Sequence, residues 1–181
     1  NPEYIKSARD KLAIHSHTAE LWLSQGDFFD VSWRELLDEL PDPILVIGNP
    51  PWVTSSELAS MNSTNVPKKS NFRALAGLDA KTGKSNFDIS EWMLIHILEF
   101  LDGREATMAM LCKTSVARKV LSYAWKRQLG VSLSQIYLID AKRVFGASVD
   151  ACLLVCDLST DEPDQICYVY TDWNSPKRKS H

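Results

Sequence analysis

The chain has 181 residues, enough for one domain with a buried core, and its 45% hydrophobic and 24% charged residues are those of a soluble globular protein. A formal net charge of −3 excludes a global basic field that could hold a polyanion. No apolar run approaches the ~18 residues of a membrane span, and none reads as a signal peptide, so no membrane partner is expected.

The pattern opens on a helix, in which Tyr4, Ile5, Ala8, Leu12 and Ala13 share a face with Lys and Arg between them. Leu21 and Leu23 alternate in "AELWLSQGDFFD" (19–30), which predicts a short strand ending at Gly26-Asp27. "SWRELLDEL" (32–40) predicts a compact helix, with Ser32 as N-cap and Glu35 three residues on. "ILVIG" (44–48) is a continuous apolar run of strand length, expected to be covered on both faces. Residues 53–86 are rich in Ser, Thr, Asn, Lys and Gly without periodicity, which predicts a long polar loop, functional or mobile. "DISEWMLIHILEFL" (88–101) predicts a largely buried helix, "ATMAMLC" (106–112) a buried strand, and "SVARKVLSYAWKRQL" (115–129) a helix with a cationic face. "LSQIYLID" (133–140), "DACLLVCDL" (150–158) and "QICYVYTDW" (165–173) complete the strands, before the basic stretch "SPKRKSH". Alternating helices and strands argue for an α/β fold with a largely parallel, doubly wound sheet.

Cys112, Cys152, Cys156 and Cys167 lack metal-type spacing, and three lie in apolar stretches, so they read as buried thiols of a reducing cytoplasm. His15, His17 and His96 show no ligand spacing, and no metal is expected. Lys113, Arg118, Lys119, Lys126 and Arg127 read as a solvated face, whereas Lys68, Lys69 and Arg73 in the long loop could touch a polyanion.

The most informative stretch is "VIGNPPWVTSSE" (46–57). Two prolines forfeit two backbone donors and fix φ near −65°, so Asn49-Pro50-Pro51-Trp52 cannot continue a ladder. The tetrapeptide follows an apolar strand, at the edge of an α/β sheet where ligands bind. The Asn49 amide oxygen and the Pro50 carbonyl offer two acceptors, and Trp52 a flat π-face. Together they suit a planar ring bearing an exocyclic amine, and stacking of such a ring is worth ~1–3 kcal/mol.

In these residues the chain resembles the S-adenosylmethionine-dependent amino-methyltransferases, whose catalytic motif is Asn-Pro-Pro-aromatic. "NPEYIKSARDKLA" is similar to the segment after their acidic ribose ligand. "SQGDFF" resembles the turn that contacts the donor's adenine, implicating Asp27 and Phe28. "KSNFDISEWMLIHILEFL" resembles a donor-contacting turn that opens a helix, implicating Phe87 and Asp88. "AMLCKTSVARKVLSYAWKRQL" is similar to the next strand and helix, with Lys113 or Thr114 where the family usually has proline. "IDAKRVFGASVDACLLV" resembles the stretch whose aromatic residue packs on a flipped base, here Phe145.

The likeness covers roughly residues 1–158 and is greatest to the adenine-N6 DNA methyltransferases of restriction-modification systems. It implies a Rossmann-like methyltransferase core truncated at its N-terminus, without the Gly-rich donor turn and without a target-recognition domain. The implied reaction moves a methyl group from S-adenosylmethionine to N6 of a flipped adenine in DNA. Asn49, Pro50, Pro51 and Trp52 would be catalytic, and Asp27, Phe28, Phe87 and Asp88 would hold the donor. Phe145 would hold the base, and Lys68, Lys69 and Arg73 the DNA backbone. The fragment is expected to bind donor weakly, to be inactive alone, and to self-associate through exposed strand edges. The alternatives are methylation of ribosomal RNA or a protein glutamine, or a non-catalytic module that keeps the fold.

Overall fold

The computed structural model describes residues 2–13, 22–54, 88–160, 162–171 and 178–180. The chain divides into two compact units, Asn1–Ser32 and Trp33–His181.

The first unit holds helix α1 (Pro2–Ala13). Pro2 suits the first helical position, where a missing N–H costs nothing, and Glu3 and Lys11 complement the helix dipole at its two ends. The strand expected at 19–26 is not seen in its described part: residues 22–26 carry no ladder, and Trp22 is exposed. Alternation in so short a run becomes a strand only where a neighbour supplies the facing N–H and C=O groups. A turn follows at Asp27, whose carbonyl accepts from Asp30 N–H (3.0 Å) and Val31 N–H (3.1 Å).

The second unit is a six-stranded mixed sheet with two long helices. Its elements are α2 (Trp33–Asp38), β1 (Ile44–Gly48), α3 (Ile89–Leu101), β2 (Ala106–Lys113) and α4 (Thr114–Arg127). After these come β3 (Val131–Ile139), α5 (Ala141–Phe145), β4 (Ala151–Leu158), β5 (Cys167–Tyr170) and β6 (Arg178–Ser180). The strand order is β1-β2-β4-β3-β5-β6. β1 and β2 are parallel, as are β3 and β5, while β4 runs antiparallel between β2 and β3, and β6 runs antiparallel to β5. Four strands share a direction, but the sheet is less parallel than helix–strand alternation predicts. β4 follows β3 through a short connection rather than a long crossover, and a short return reverses the chain.

Burial alternates along β2 and β4 with the pleat's period of two. Met108, Met110 and Cys112 stand opposite Cys156, Leu154 and Cys152, all nearly inaccessible, on the face covered by α3 and α4. Helix α3 adds Leu94, Ile95, Leu98 and Leu101, and each full burial of this kind is worth ~1.5–3 kcal/mol. The expected buried thiols are present: all four cysteines are free and buried. His96 is half-buried on α3, stacked on Trp92 at 3.8 Å with Nδ1 2.9 Å from the Trp92 carbonyl; His15 and His17 lie outside the described residues.

β1 corrects a second expectation. It lies at the end of the sheet order and is covered on one face only, with Leu45 64% and Ile47 70% exposed. The run "ILVIG" reports what β1 is made of, not what covers it. No described helix is long and apolar enough to cross a membrane.

Candidate active site

The sheet delivers Asn49-Pro50-Pro51-Trp52 at the carboxyl end of β1, beside the parallel carboxyl end of β2. Pro50 is buried, while Asn49 and Pro51 are exposed and Trp52 is half-buried. The Asn49 side chain, free of hydrogen bonds to the described residues, leaves its amide oxygen available. Trp52 is anchored, because its Nε1–H donates to the Leu111 carbonyl of β2 at 3.3 Å. That bond fixes the indole edge and leaves its faces to other partners.

Phe145 reaches the same place from the other side. Helix α5 starts from Asp140, whose carboxylate caps the Arg143 N–H at 3.0 Å, and closes at Gly146 with φ of 68°. That left-handed conformation is cheap only for glycine, and it brings the Gly146 N–H to the Lys142 carbonyl at 3.1 Å. So mounted, the Phe145 ring meets Trp52 edge to face, with centroids 6.5 Å apart and planes at 89°. Asn49, Pro50, Pro51, Trp52 and Phe145 line an open cleft of about 350 Å³. That volume lies at the small end of ligand sites, ~300–1,000 Å³. A flat ring stacked on one aromatic would present its edge to the other.

Asp88 sits next to this wall. Past the tetrapeptide, Thr54 bridges Asp88 in antiparallel fashion, and the Val53 carbonyl accepts from Ile89 N–H at 2.9 Å. Asp88 also caps α3, its Oδ1 accepting from Ser90 N–H (3.1 Å) and from the Ser90 hydroxyl. Its Oδ2 receives Lys113 Nζ at 2.7 Å, with the Asp88 side chain 9% and the Lys113 side chain 26% exposed. Sequence reasoning put Lys113 on a solvated face and marked it as a departure from proline; the structure corrects the first reading, since Lys113 is half-buried and paired with Asp88. The available signal was a lysine directly after a buried strand, which needs a partner or water.

Asp27 accepts from Phe29 N–H at 3.0 Å, and Phe28 meets Phe29 edge to face at 6.0 Å, both within the first unit. Phe87, Lys68, Lys69 and Arg73 lie outside the described residues. Of the helix cations, Lys119 pairs with Glu91 at 3.5 Å, and Arg118 is exposed. Among the described residues, no three His, Cys, Asp or Glu side chains converge as a metal would need.

Hydrogen bonding to Cys152 and burial push the Cys112 thiol up, and burial does the same to Cys156 and Cys167. These thiols are core groups held in the protonated form.

No family model matches the chain. The chain is 41% identical over 177 residues to the Type II methyltransferase M.NspV of Nostoc sp. (strain ATCC 29411 / PCC 7524). That match takes in 98% of this chain and 37% of the relative, so the chain spans little more than a third of the relative's length. Among solved structures it resembles the Type IIL restriction-modification enzyme MmeI in complex with DNA, with TM-score 0.53. The likeness covers 97% of this chain and 24% of that one at 13% identity, and it speaks to the fold alone. It supports the Rossmann-like core expected for the α/β architecture described above. In sequence the chain is similar to a Type II methyltransferase, and in fold to a restriction-modification enzyme.

Proposed function

We propose that the protein transfers a methyl group from S-adenosylmethionine to the N6 amine of adenine in DNA, within a restriction-modification system. The observation that carries this reading is the unengaged Asn49 amide on a rigid Pro-Pro turn, facing an aromatic-walled cleft. The name of M.NspV supports methyl transfer, and the DNA in the MmeI complex supports the substrate class.

In this reading the target base leaves the duplex at a cost of a few kcal/mol, which stacking in the cleft offsets. The Asn49 amide oxygen and the Pro50 carbonyl accept the two amine hydrogens and so turn the nitrogen lone pair outward. As the nitrogen gains positive charge, both bonds strengthen, which lowers the barrier more than it tightens binding. The methylated nitrogen is acidic and loses its proton to water, so no strong base is required of the cleft. Trp52 supplies a stacking face, and Phe145 closes the opposite wall.

Asp27, Phe28, Phe87 and Asp88 are assigned to the methyl donor. Asp88 fits such a role in its chemistry. A carboxylate has about four acceptor sites, and Ser90 and Lys113 engage three of them. When bound, S-adenosylmethionine supplies the sulfonium methyl group. Lys68, Lys69 and Arg73 are assigned to the DNA backbone.

The test is a single turnover of the full-length protein with labelled donor and an adenine-containing duplex, followed by nucleoside analysis. N6-methyladenine is the expected product. Label appearing only on cytosine, on ribosomal RNA or on a glutamine peptide overturns the reading.

A further inference from the structure

We propose that α5 is a duplex-opening element, with Val144 entering the stack vacated by the target base and Lys142 and Arg143 holding the flanking phosphates. This rests on the DNA reading above and adds residues to it.

The helix is a short wall mounted at both ends, by the Asp140 cap and by the Gly146 turn. Its next-to-last and last residues, Val144 and Phe145, are 55% and 51% exposed. Phe145 has a use, since it lines the cleft opposite Trp52. Val144 is the neighbouring apolar side chain on this five-residue helix, and more than half of it is exposed. An apolar side chain held rigidly in water beside a base-sized cleft suits a surface that is itself apolar and covered only during action. The gap between stacked bases is such a surface, and proteins that distort duplexes insert apolar wedges there.

The charges around Val144 agree. Lys142 and Arg143 are exposed and make no ion pair with any described residue, unlike Lys113 and Lys119. Lys142 precedes Phe145 by three residues and so lies on the same side of the helix. It also lines a second cleft of about 340 Å³ together with Asp140, Ser148 and Asp150. Of those two carboxylates Asp140 accepts from the Arg143 N–H, and Asp150 lies across the cleft, so Lys142 and Arg143 must reach past them to meet phosphate. In a chain of net charge −3, two cations without an ion pair among the described residues are a local patch of the kind that a polyanion requires.

The experiment uses the full-length protein, S-adenosylmethionine and two duplexes, one fully paired and one with the target adenine opposite an abasic site. On the paired duplex, Val144→Ala should lower the single-turnover rate about tenfold, because opening the pair loses its wedge. On the abasic duplex the same variant should methylate at the wild-type rate, and Val144→Leu should keep the wild-type rate on both. Lys142→Gln and Arg143→Gln should each reduce the slope of log affinity against log salt by about 0.9. An equal loss on both duplexes would mean that Val144 only seats Phe145, and would overturn the proposal. Unchanged rates in the Val144 variants, or unchanged salt slopes in the cation variants, would also overturn it. A wild-type protein that methylates neither duplex overturns the function proposed above, whereas an active wild type with insensitive variants removes only the role of α5.

Discussion

Asn49 and Trp52 stand three residues apart on one rigid turn, yet they differ in what they can contribute. Asn49 has an exposed amide without a hydrogen bond among the described residues, so Asn49→Ala should leave stability nearly unchanged. In the proposed reaction its amide oxygen meets charge as charge develops. Its loss should lower the single-turnover methylation rate by roughly 10²–10³, with donor affinity unchanged. A wild-type rate in Asn49→Ala would reduce the tetrapeptide to a strand-exit turn. Trp52 is tied to Leu111 and contributes a face. Trp52→Ala should weaken retention of an extruded base by about 1–3 kcal/mol, read as a loss of binding to a duplex with an unpaired target. This much of the site was legible in sequence, because a Pro-Pro pair after an apolar strand permits few conformations. Phe145 was legible by resemblance only. The Lys113–Asp88 pair was not, because it joins residues 25 apart whose meeting depends on how α3 returns to β2.

At the scale of elements, Asp88 serves two structures at once, the start of α3 and the end of β2. The two roles separate by substitution. Asp88→Asn keeps a capping oxygen but leaves Lys113 without its counter-charge, at a cost of about 1 kcal/mol, since Lys113 can turn to water. Asp88→Ala loses the cap as well and should cost about 2 kcal/mol. Urea midpoints measured for both variants at one slope check this order. Equal losses would show that the ion pair carries the whole effect. Elements with long apolar runs were legible: α3, β2, α4, β3 and β4 lie within a residue or two of the expected spans. Two short ones were not. "AKRVF" is too brief to show a helical period, and α5 exists because Asp140 and Gly146 close its ends. β6, at Arg178–Ser180, has no apolar pattern at all and is a strand only through its pairing with β5. The antiparallel sense of β4 was equally hidden, since an apolar run reads alike in either direction.

For the molecule as a whole, two properties follow from what is covered and what is not. Burial keeps Cys156 protonated above its ordinary value of 9.0, where an unfolded thiol ionises. Stability from this group is therefore complete below that pH and falls as pH rises through it, by roughly 1.4 kcal/mol per unit. Denaturation midpoints should drop between pH 8 and 10, and less steeply in Cys156→Ala; an identical slope would show that the alkaline loss lies elsewhere. Leu45 and Ile47 are exposed on the terminal strand β1, and we predict that the chain pairs there with a second copy. Light scattering should show a mass that rises with concentration and returns to the monomer in a Leu45→Lys, Ile47→Lys variant. A monomer at every concentration would refute the pairing. The position of β4 also sets a schedule for synthesis. In the sheet β4 lies between β2 and β3 and is made after both, so the middle of the sheet stays open until the chain has passed Leu158. From the end of β2 that is ~45 residues, or about 2–9 s at 5–20 residues per second on the ribosome. For that interval Met108, Met110 and Cys112 have no β4 beside them, and a nascent chain paused there would be a natural client for a chaperone.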